Sequence, residues 1–268
     1  MKYGFIGTGC MGGALATACA KAIGPEDILL SNRSPEKAQA LAEKLGAIPA
    51  DNETITRDCD VIFLGVKPQT MAQMLLPLQP ILTGRRTPFV LVSMAAGVTI
   101  EALQDMAGGR YPVVRIMPNT ACAVGAGMTT YTCSAEVTDR QRQAVLDALA
   151  ASGLLEEIEE GLMGAASAVA GCGGAYACLF LEGLADGGVL CGLPRKKAQR
   201  MAAQMLLGMA TQALESDEHT GALKDAVCSP AGSTIAGIRK LESMSFRSAA
   251  MEAVIAAWER DREMQQQK

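Results

Sequence analysis

Lys2-Tyr3-Gly4-Phe5-Ile6-Gly7-Thr8-Gly9-Cys10-Met11-Gly12 is a short apolar run that ends in glycines at G-x-G-x-x-G spacing. The run reads as a strand over Lys2 to Gly7, and the residues after the glycines read as a helix. In that context each glycine has a purpose. Gly7 permits the turn, Gly9 lets backbone approach a pyrophosphate, and Gly12 allows close packing of helix on strand. The whole turn Gly7-Thr8-Gly9-Cys10-Met11-Gly12 is therefore expected to hold a dinucleotide, with the phosphates on the free N–H groups of the helix start.

Outward from this turn, short apolar runs alternate with helical patterns as far as about residue 160. Candidate strands are Lys2 to Gly7, Ile28 to Ser31, Val61 to Val66, Phe89 to Ser93, Val113 to Ile116 and Gly127 to Thr132. This is the pattern of an α/β fold with a doubly wound, mostly parallel sheet of the Rossmann type. Pro35 to Leu45 reads as a helix with Ser34 as N-cap. Thr138-Asp139-Arg140-Gln141 opens another with a capping box, and that helix is expected to end near Ser152-Gly153. After Gly161 the strand signals stop. Ala175 to Leu190, Pro194 to Glu215 and Phe246 to Arg262 are the clearest helices, so the expected division is a dinucleotide domain at 1–160 and an all-helical domain at 161–268.

About 20 residues beyond the glycine turn, a site that prefers NAD places an acid on the ribose. Here the chain reads Ser31-Asn32-Arg33-Ser34. A carboxylate would repel a 2′-phosphate, whereas Arg33 flanked by Asn32 and Ser34 can pair with it. NADPH is the expected cofactor, with NADH the alternative. Ligands in such sheets sit outside the carboxyl ends of the strands, so Val66, Lys67, Pro68 and Gln69 should face the crevice, Lys67 as a cofactor contact rather than a catalytic base. Small residues at Ala95, Ala96 and Gly97 would let a dinucleotide lie close to backbone.

A second unusual stretch is Asp225-Ala226-Val227-Cys228-Ser229-Pro230-Ala231-Gly232-Ser233-Thr234. Pro and Gly interrupt a helical pattern, a new helix opens at about Ser233, and the hydroxyls of Ser229, Ser233 and Thr234 gather there. Such a start favours an anion, and a small carboxylate would suit it. Capping of the new helix by one of these hydroxyls is the competing explanation.

Composition narrows the class. The chain has 268 residues, 49% hydrophobic and 19% charged, with net charge −4. It is expected to be soluble and globular, with no nucleic-acid groove, since no basic cluster is interleaved with aromatics. Nine cysteines form no C-x-x-C pair and His219 has no cysteine at ligand spacing, so no metal is expected. The cysteines read as reduced thiols used as small core residues, and no leader precedes the first strand, which together point to a cytoplasmic protein. Gly161 to Leu181 is uncharged and long enough to cross a bilayer, but five glycines interrupt it. It reads as a buried helix with no membrane association. Met201, Met205 and Met209 share a helix face and read as core. The apolar surface of so small a helical domain suggests burial against a second subunit. His219 reads as an exposed loop residue, not a general acid.

Taken in order, the Gly7 turn, Val66-Lys67-Pro68-Gln69, Ser93-Met94-Ala95-Ala96-Gly97, Arg115-Ile116-Met117-Pro118-Asn119-Thr120-Ala121 and the Ser229 to Thr234 turn resemble pyrroline-5-carboxylate reductase across essentially the whole chain. The resemblance implies a Rossmann domain, then a helical domain that interlocks with its partner to form a homodimer; assemblies of five dimers, a decamer, occur in the family. It implies reduction of the cyclic imine L-1-pyrroline-5-carboxylate to L-proline. On that reading Gly232, Ser233 and Ser229 hold the substrate carboxylate, Thr234 meets the ring nitrogen, Asn52 contacts the adenosine end of the cofactor, and Asn119 lies at the cofactor. Two departures stand out. Ala170-Gly171-Cys172-Gly173-Gly174-Ala175-Tyr176 replaces the family's usual Ser-Gly-Ser-Gly-Pro-Ala-Tyr, and Ala231 stands where Gly is usual, which is tolerable only at negative φ. Related readings are a reductase of pyrroline-2-carboxylate and a dinucleotide-sensing paralogue without activity. A 3-hydroxyacid dehydrogenase would need a lysine within Ala165 to Leu181, and there is none.

Overall fold

The computed structural model describes residues 1–266, with side chains as far as 263. Contacts divide the chain into two compact units: residues 1–172 together with the stretch from Ala257 onward, and Gly173–Ala256.

The first unit is built on one eight-stranded sheet. Its strands are β1 (Tyr3–Ile6), β2 (Ile28–Ser31), β3 (Ile48–Pro49), β4 (Val61–Leu64), β5 (Val90–Ser93), β6 (Val113–Pro118), β7 (Gly127–Cys133) and β8 (Gly153–Glu157). They lie in the order β3-β2-β1-β4-β5-β6-β7-β8. Every pairing is parallel except β6 with β7. Strands β1, β2, β4 and β5 are buried along their whole length, as befits strands covered on both faces. Phe5 and Phe63 stack across β1 and β4 with ring centroids 4.3 Å apart.

Helices cover both faces: α1 (Cys10–Ile23), α2 (Pro35–Leu45), α3 (Asn52–Asp58), α4 (Pro68–Leu75), α5 (Gln79–Gly84), α6 (Ile100–Ala107), α7 (Asp139–Leu149) and α8 (Met163–Ala166). The capping box at Thr138 is present: Gln141 N donates to Thr138 Oγ1 and Thr138 N donates to Gln141 Oε1. Ser34 sits at the N-cap of α2 with Pro35 behind it, yet its hydroxyl makes no capping bond. A 3₁₀ turn over Ala150–Ser152 carries the chain from α7 into β8, whose sequence Gly-Leu-Leu-Glu-Glu is mostly exposed at the sheet edge.

The second unit consists of α9 (Gly173–Leu190), α10 (Arg195–Glu215), α11 (Thr220–Ala226), α12 (Ser233–Ser243) and most of α13 (Phe246–Gln266). Asp186 pairs with Arg195, and Tyr176 Oη donates to the Ala253 carbonyl at 3.1 Å. Its buried residues are few. Met201 and Met205 are exposed rather than core, and Leu179, Leu190, Leu214 and Met244 are all more than two-thirds exposed. The apolar stretch expected to be buried runs through the long helical segment Glu160–Leu190, and only 6% of its most apolar window is buried.

The cysteines also divide. Cys19, Cys59 and Cys122 are core residues, and burial pushes the Cys59 thiol up to about 12. Cys10, Cys172, Cys178 and Cys191 are exposed. Four of the nine are thus not the small core residues that composition implied.

Arg85 anchors the α3 corner of the sheet unit. Its Nη1 donates to the carbonyls of Thr56 and Cys59, both at 2.7 Å, and the guanidinium lies over the Phe89 ring. Burial and these partners hold its charge within the fold, at some cost to its pKa. Arg85→Met keeps the stem but leaves two carbonyls without a donor. It should lower stability by about 1.5–3 kcal/mol, read as a drop of several degrees in the thermal unfolding midpoint of the ligand-free protein.

Candidate functional site

The glycine turn is shaped by backbone crowding. Gly7 has φ +98°, its N–H donates to the Ser31 carbonyl, and a Cβ on Gly12 would collide with the Gly7 carbonyl oxygen. Gly9, the N-cap of α1, faces open space. The first turn of α1 carries no acid, and no side chain caps it. Among the described residues, Thr8 Oγ1 is buried with no hydrogen-bond partner. Free N–H groups, an orphaned hydroxyl and an uncrowded Gly9 fit a pyrophosphate at this turn. Cys10 and Met11 follow on the exposed side, in the first turn of α1.

At the end of β2, Ser31 Oγ donates to Asn52 Oδ1 at 2.5 Å, which ties β2 to the start of α3. Asn32 Oδ1 accepts from Arg33 N, and Arg33 itself is exposed. A cleft of about 980 Å³ lies here, lined among others by Ser31, Asn32, Pro35, Gln39, Asn52 and Leu78. Asp51 also borders it, but its carboxylate accepts from Thr54 N, and that bond holds it below the usual carboxylate range. The structure brings Asn32 and Asn52 into one lining, while Arg33 and Ser34, next to Asn32 in the chain, do not line the cleft.

The carboxyl ends of β4, β5 and β6 form the rest of the crevice. Val66 is half-buried, Lys67 is the N-cap residue of α4 and exposed, Pro68 is its first residue, and Gln69 is exposed. After β5, Ala96 is exposed and Gly97 turns with φ +69°. Ala95 is different: its side chain is in the core, so only its backbone is open to a ligand.

Arg115 lies in the middle of β6. It is buried, with Nη1 3.0 Å from Glu160 Oε1, and its Nε has no partner. The same Glu160 oxygen accepts from Ile100 N at 2.7 Å, at the start of α6. An arginine flanked by Val and Ile in a buried strand is the signal that could have pointed to this link.

In the second unit, α11 begins with His219 as cap, its Nδ1 accepting from Gly221 N at 3.0 Å. The histidine is thus exposed and structural. The chain then turns at Ser229, where Gly232 N donates to the Ser229 carbonyl, and α12 starts with Gly232 as N-cap. No side chain caps α12, so Ser229, Ser233 and Thr234 are not there to cap the helix. A Cβ on Gly232 would collide with Ser229 Oγ, which places that hydroxyl against the helix start. Ser229, Ser233 and Thr234 are all exposed in the protomer. Free N–H groups with hydroxyls beside them make a cradle for a small carboxylate.

Ala231 has φ +56°, in the left-handed region, so the condition for an easily accommodated alanine is not met. The missing proline is cheaper: no atom lies within 4 Å of where a Cβ on Gly173 or Gly174 would be, and α9 starts there regardless. A left-handed non-glycine residue costs about 1–2 kcal/mol, and glycine returns part of that through unfolded-chain entropy, about 0.4–1 kcal/mol. Ala231→Gly should therefore raise stability by up to about 1 kcal/mol, measured by denaturant unfolding of the full chain.

Comparison with known proteins agrees with this geometry. Residues 160–264 match the family model for pyrroline-5-carboxylate reductase dimerisation, and residues 2–97 match that for NADP oxidoreductase, coenzyme F420-dependent. The chain is 40% identical to the pyrroline-5-carboxylate reductase of Methanosarcina acetivorans over 266 residues, covering 98% of this chain and 97% of that one. It is 38% identical to the Escherichia coli enzyme, covering 98% of each. Among solved structures, the Coxiella burnetii pyrroline-5-carboxylate reductase superposes with a TM-score of 0.90 at 31% identity, covering 98% and 97%. The Plasmodium falciparum pyrroline carboxylate reductase with NADP bound gives 0.87 at 34%, covering 99% and 98%.

Proposed function

The chain belongs to the pyrroline-5-carboxylate reductase family, and from that premise we propose that it reduces L-1-pyrroline-5-carboxylate to L-proline at the expense of NADPH. The observation that carries the reading is that one chain has two helix starts suited to anions, one in each unit. One is the dinucleotide turn at Gly7–Gly12; the other is a carboxylate cradle at Ser229–Thr234 that capping does not explain.

NADPH supplies the hydride when bound. The first unit holds it: the Gly7–Gly12 turn takes the pyrophosphate, Asn32, Arg33 and Ser34 the 2′-phosphate, and Asn52 the adenosine end. Val66 to Gln69 and the backbone of Ala95, Ala96 and Gly97 line the crevice toward the ring. Backbone N–H groups of Gly232 and Ser233, with the Ser229 hydroxyl, hold the substrate carboxylate. Thr234 Oγ1 meets the ring nitrogen and can donate to it or accept from its proton. Its hydroxyl orients the imine, and the proton on the iminium comes from solvent. Orientation of the two reactants can account for several kcal/mol of the barrier, about 7–11 at best.

The protein acts in the cytoplasm as a homodimer formed through its helical part, residues 161–268, joined to a dinucleotide part at 1–160, and five dimers assemble into a decamer. Neither membrane nor nucleic acid is a partner. The exposed apolar side chains of α9, α10 and α12, including Leu190, Leu214 and Leu241, support burial against a second copy.

The test is NADPH oxidation with pyrroline-5-carboxylate, beside NADH and beside pyrroline-2-carboxylate. Turnover is expected with the first imine, faster with NADPH. Turnover only with pyrroline-2-carboxylate, or NADPH binding without turnover, would move the protein to one of the related readings. Thr234→Ala should lower kcat/KM for the imine about 10- to 100-fold, the loss of one hydrogen bond of about 1.5–3 kcal/mol, with NADPH affinity unchanged. Arg33→Ala should raise the KM for NADPH about tenfold, a loss of roughly 1.4 kcal/mol, and leave that for NADH unchanged.

A further inference from the structure

Asn119 stands at the carboxyl end of β6, at the start of a short 3₁₀ turn over Thr120–Val124. The resemblance puts it at the cofactor, but its amide is largely committed within the protein. Oδ1 accepts from Ala121 N at 3.2 Å and from Met128 N at 3.3 Å, and Nδ2 donates to the Ala170 carbonyl at 3.1 Å. Two N–H groups facing Oδ1 fix which end of the amide is oxygen. Of two acceptor and two donor positions, three are used and one N–H remains.

The far partner is unusual. Ala170 lies in a π turn over Ser167–Gly171, where Cys172 N donates five residues back to the Ser167 carbonyl at 2.9 Å. Such turns interrupt an α-helix, are rare, and occur mostly at functional sites. Here the turn packs against β6 and β7, beside the strand ends where a dinucleotide lies in this fold. The turn immediately precedes Cys172-Gly173-Gly174, where the chain departs from its family.

We propose that Asn119 is a positioning residue for hydride transfer: its amide clamps the π turn at Ser167–Gly171 to the corner made by β6, the 3₁₀ turn and β7. The clamp fixes the crevice wall beyond β6 against the nicotinamide. Only a side chain with an acceptor and a donor on one carbon can serve all three partners. The inference rests on the reductase reading above.

Asn119→Asp isolates the clamp. It keeps an oxygen for Ala121 N and Met128 N and turns the Nδ2 donor into an oxygen facing a carbonyl. In the full-length protein NADPH affinity and the unfolding midpoint should stay close to wild type, while kcat falls by about tenfold to a hundredfold, the scale of a small misplacement of reactants. The primary isotope effect on kcat with NADPH deuterated at the transferred position should rise, because hydride transfer becomes slower relative to release. Hydrogen exchange should quicken at Cys172, whose N–H closes the π turn. Asn119→Ser, too short to reach Ala170, should behave alike and covers the case in which the Asp variant fails to fold.

Unchanged kcat and isotope effect in a folded variant would overturn the proposal. So would loss of NADPH affinity with kcat preserved, which would make Asn119 a direct cofactor contact. The exchange readout does not depend on turnover. Faster exchange in the variant of a wild-type protein that leaves the imine untouched supports the clamp and overturns the reductase reading alone; unchanged exchange overturns the clamp.

Discussion

Everything at the cofactor end depends on three backbones that meet without room for a side chain. Gly7, Gly12 and Gly65 crowd one another, and a Cβ on either Gly12 or Gly65 would run into the Gly7 carbonyl oxygen. This contact brings the start of α1 down onto the ends of β1 and β4, the point where the strand order reverses. The free N–H groups of the helix then face the crevice. Any larger residue would push α1 away from the sheet and with it the only part of the helix that attracts phosphate.

The sequence made this half of the molecule readable because the constraint is local. A glycine triplet after an apolar run, a capping box at Thr138 and four fully buried strands each declare themselves within a few residues. β3 and β8 were missed for a physical reason. β3 has two residues, both exposed, and β8 reads Gly-Leu-Leu-Glu-Glu at the sheet edge with three of its five residues exposed, so neither carries the apolar signal of its neighbours. The helical half shows a different failure. Met201, Met205 and the glycine-rich stretch after Glu160 are apolar enough to read as core, yet in the protomer both methionines and most of that stretch beyond Met163 and Ala168 are not buried. Hydrophobicity says that a residue is to be buried, not against which chain.

The turn at Ser229–Thr234 shows the opposite balance between local rules and chemistry. Ser and Thr at a helix start usually cap it, yet Gly232 takes that position and the hydroxyls stay outside. Ala231 adds strain in the same turn by holding a left-handed conformation without being glycine. A turn that forgoes its capping bond and tolerates that strain is stabilised elsewhere, and such exceptions cluster at sites of function.

Within the sheet unit, the charge pair Arg115–Glu160 shows why stability alone does not explain the residues at the strand ends. Arg115 is buried at 5% side-chain exposure while Glu160 is 35% exposed, so desolvation of the guanidinium offsets much of the attraction, and among the described residues Arg115 Nε has no partner. Two packed apolar side chains would serve the core better. They would not, however, let one carboxylate oxygen hold both the guanidinium in β6 and the first N–H of α6. That shared oxygen sets where α6 starts, and the Ala95–Gly97 turn is the chain between β5 and that start. Ser93 is the register partner of Arg115 across the two strands, so both ends of the turn are fixed by one residue pair. The pair therefore acts on geometry: it holds the Ala95–Gly97 backbone in place while the side chain of Ala95 stays in the core.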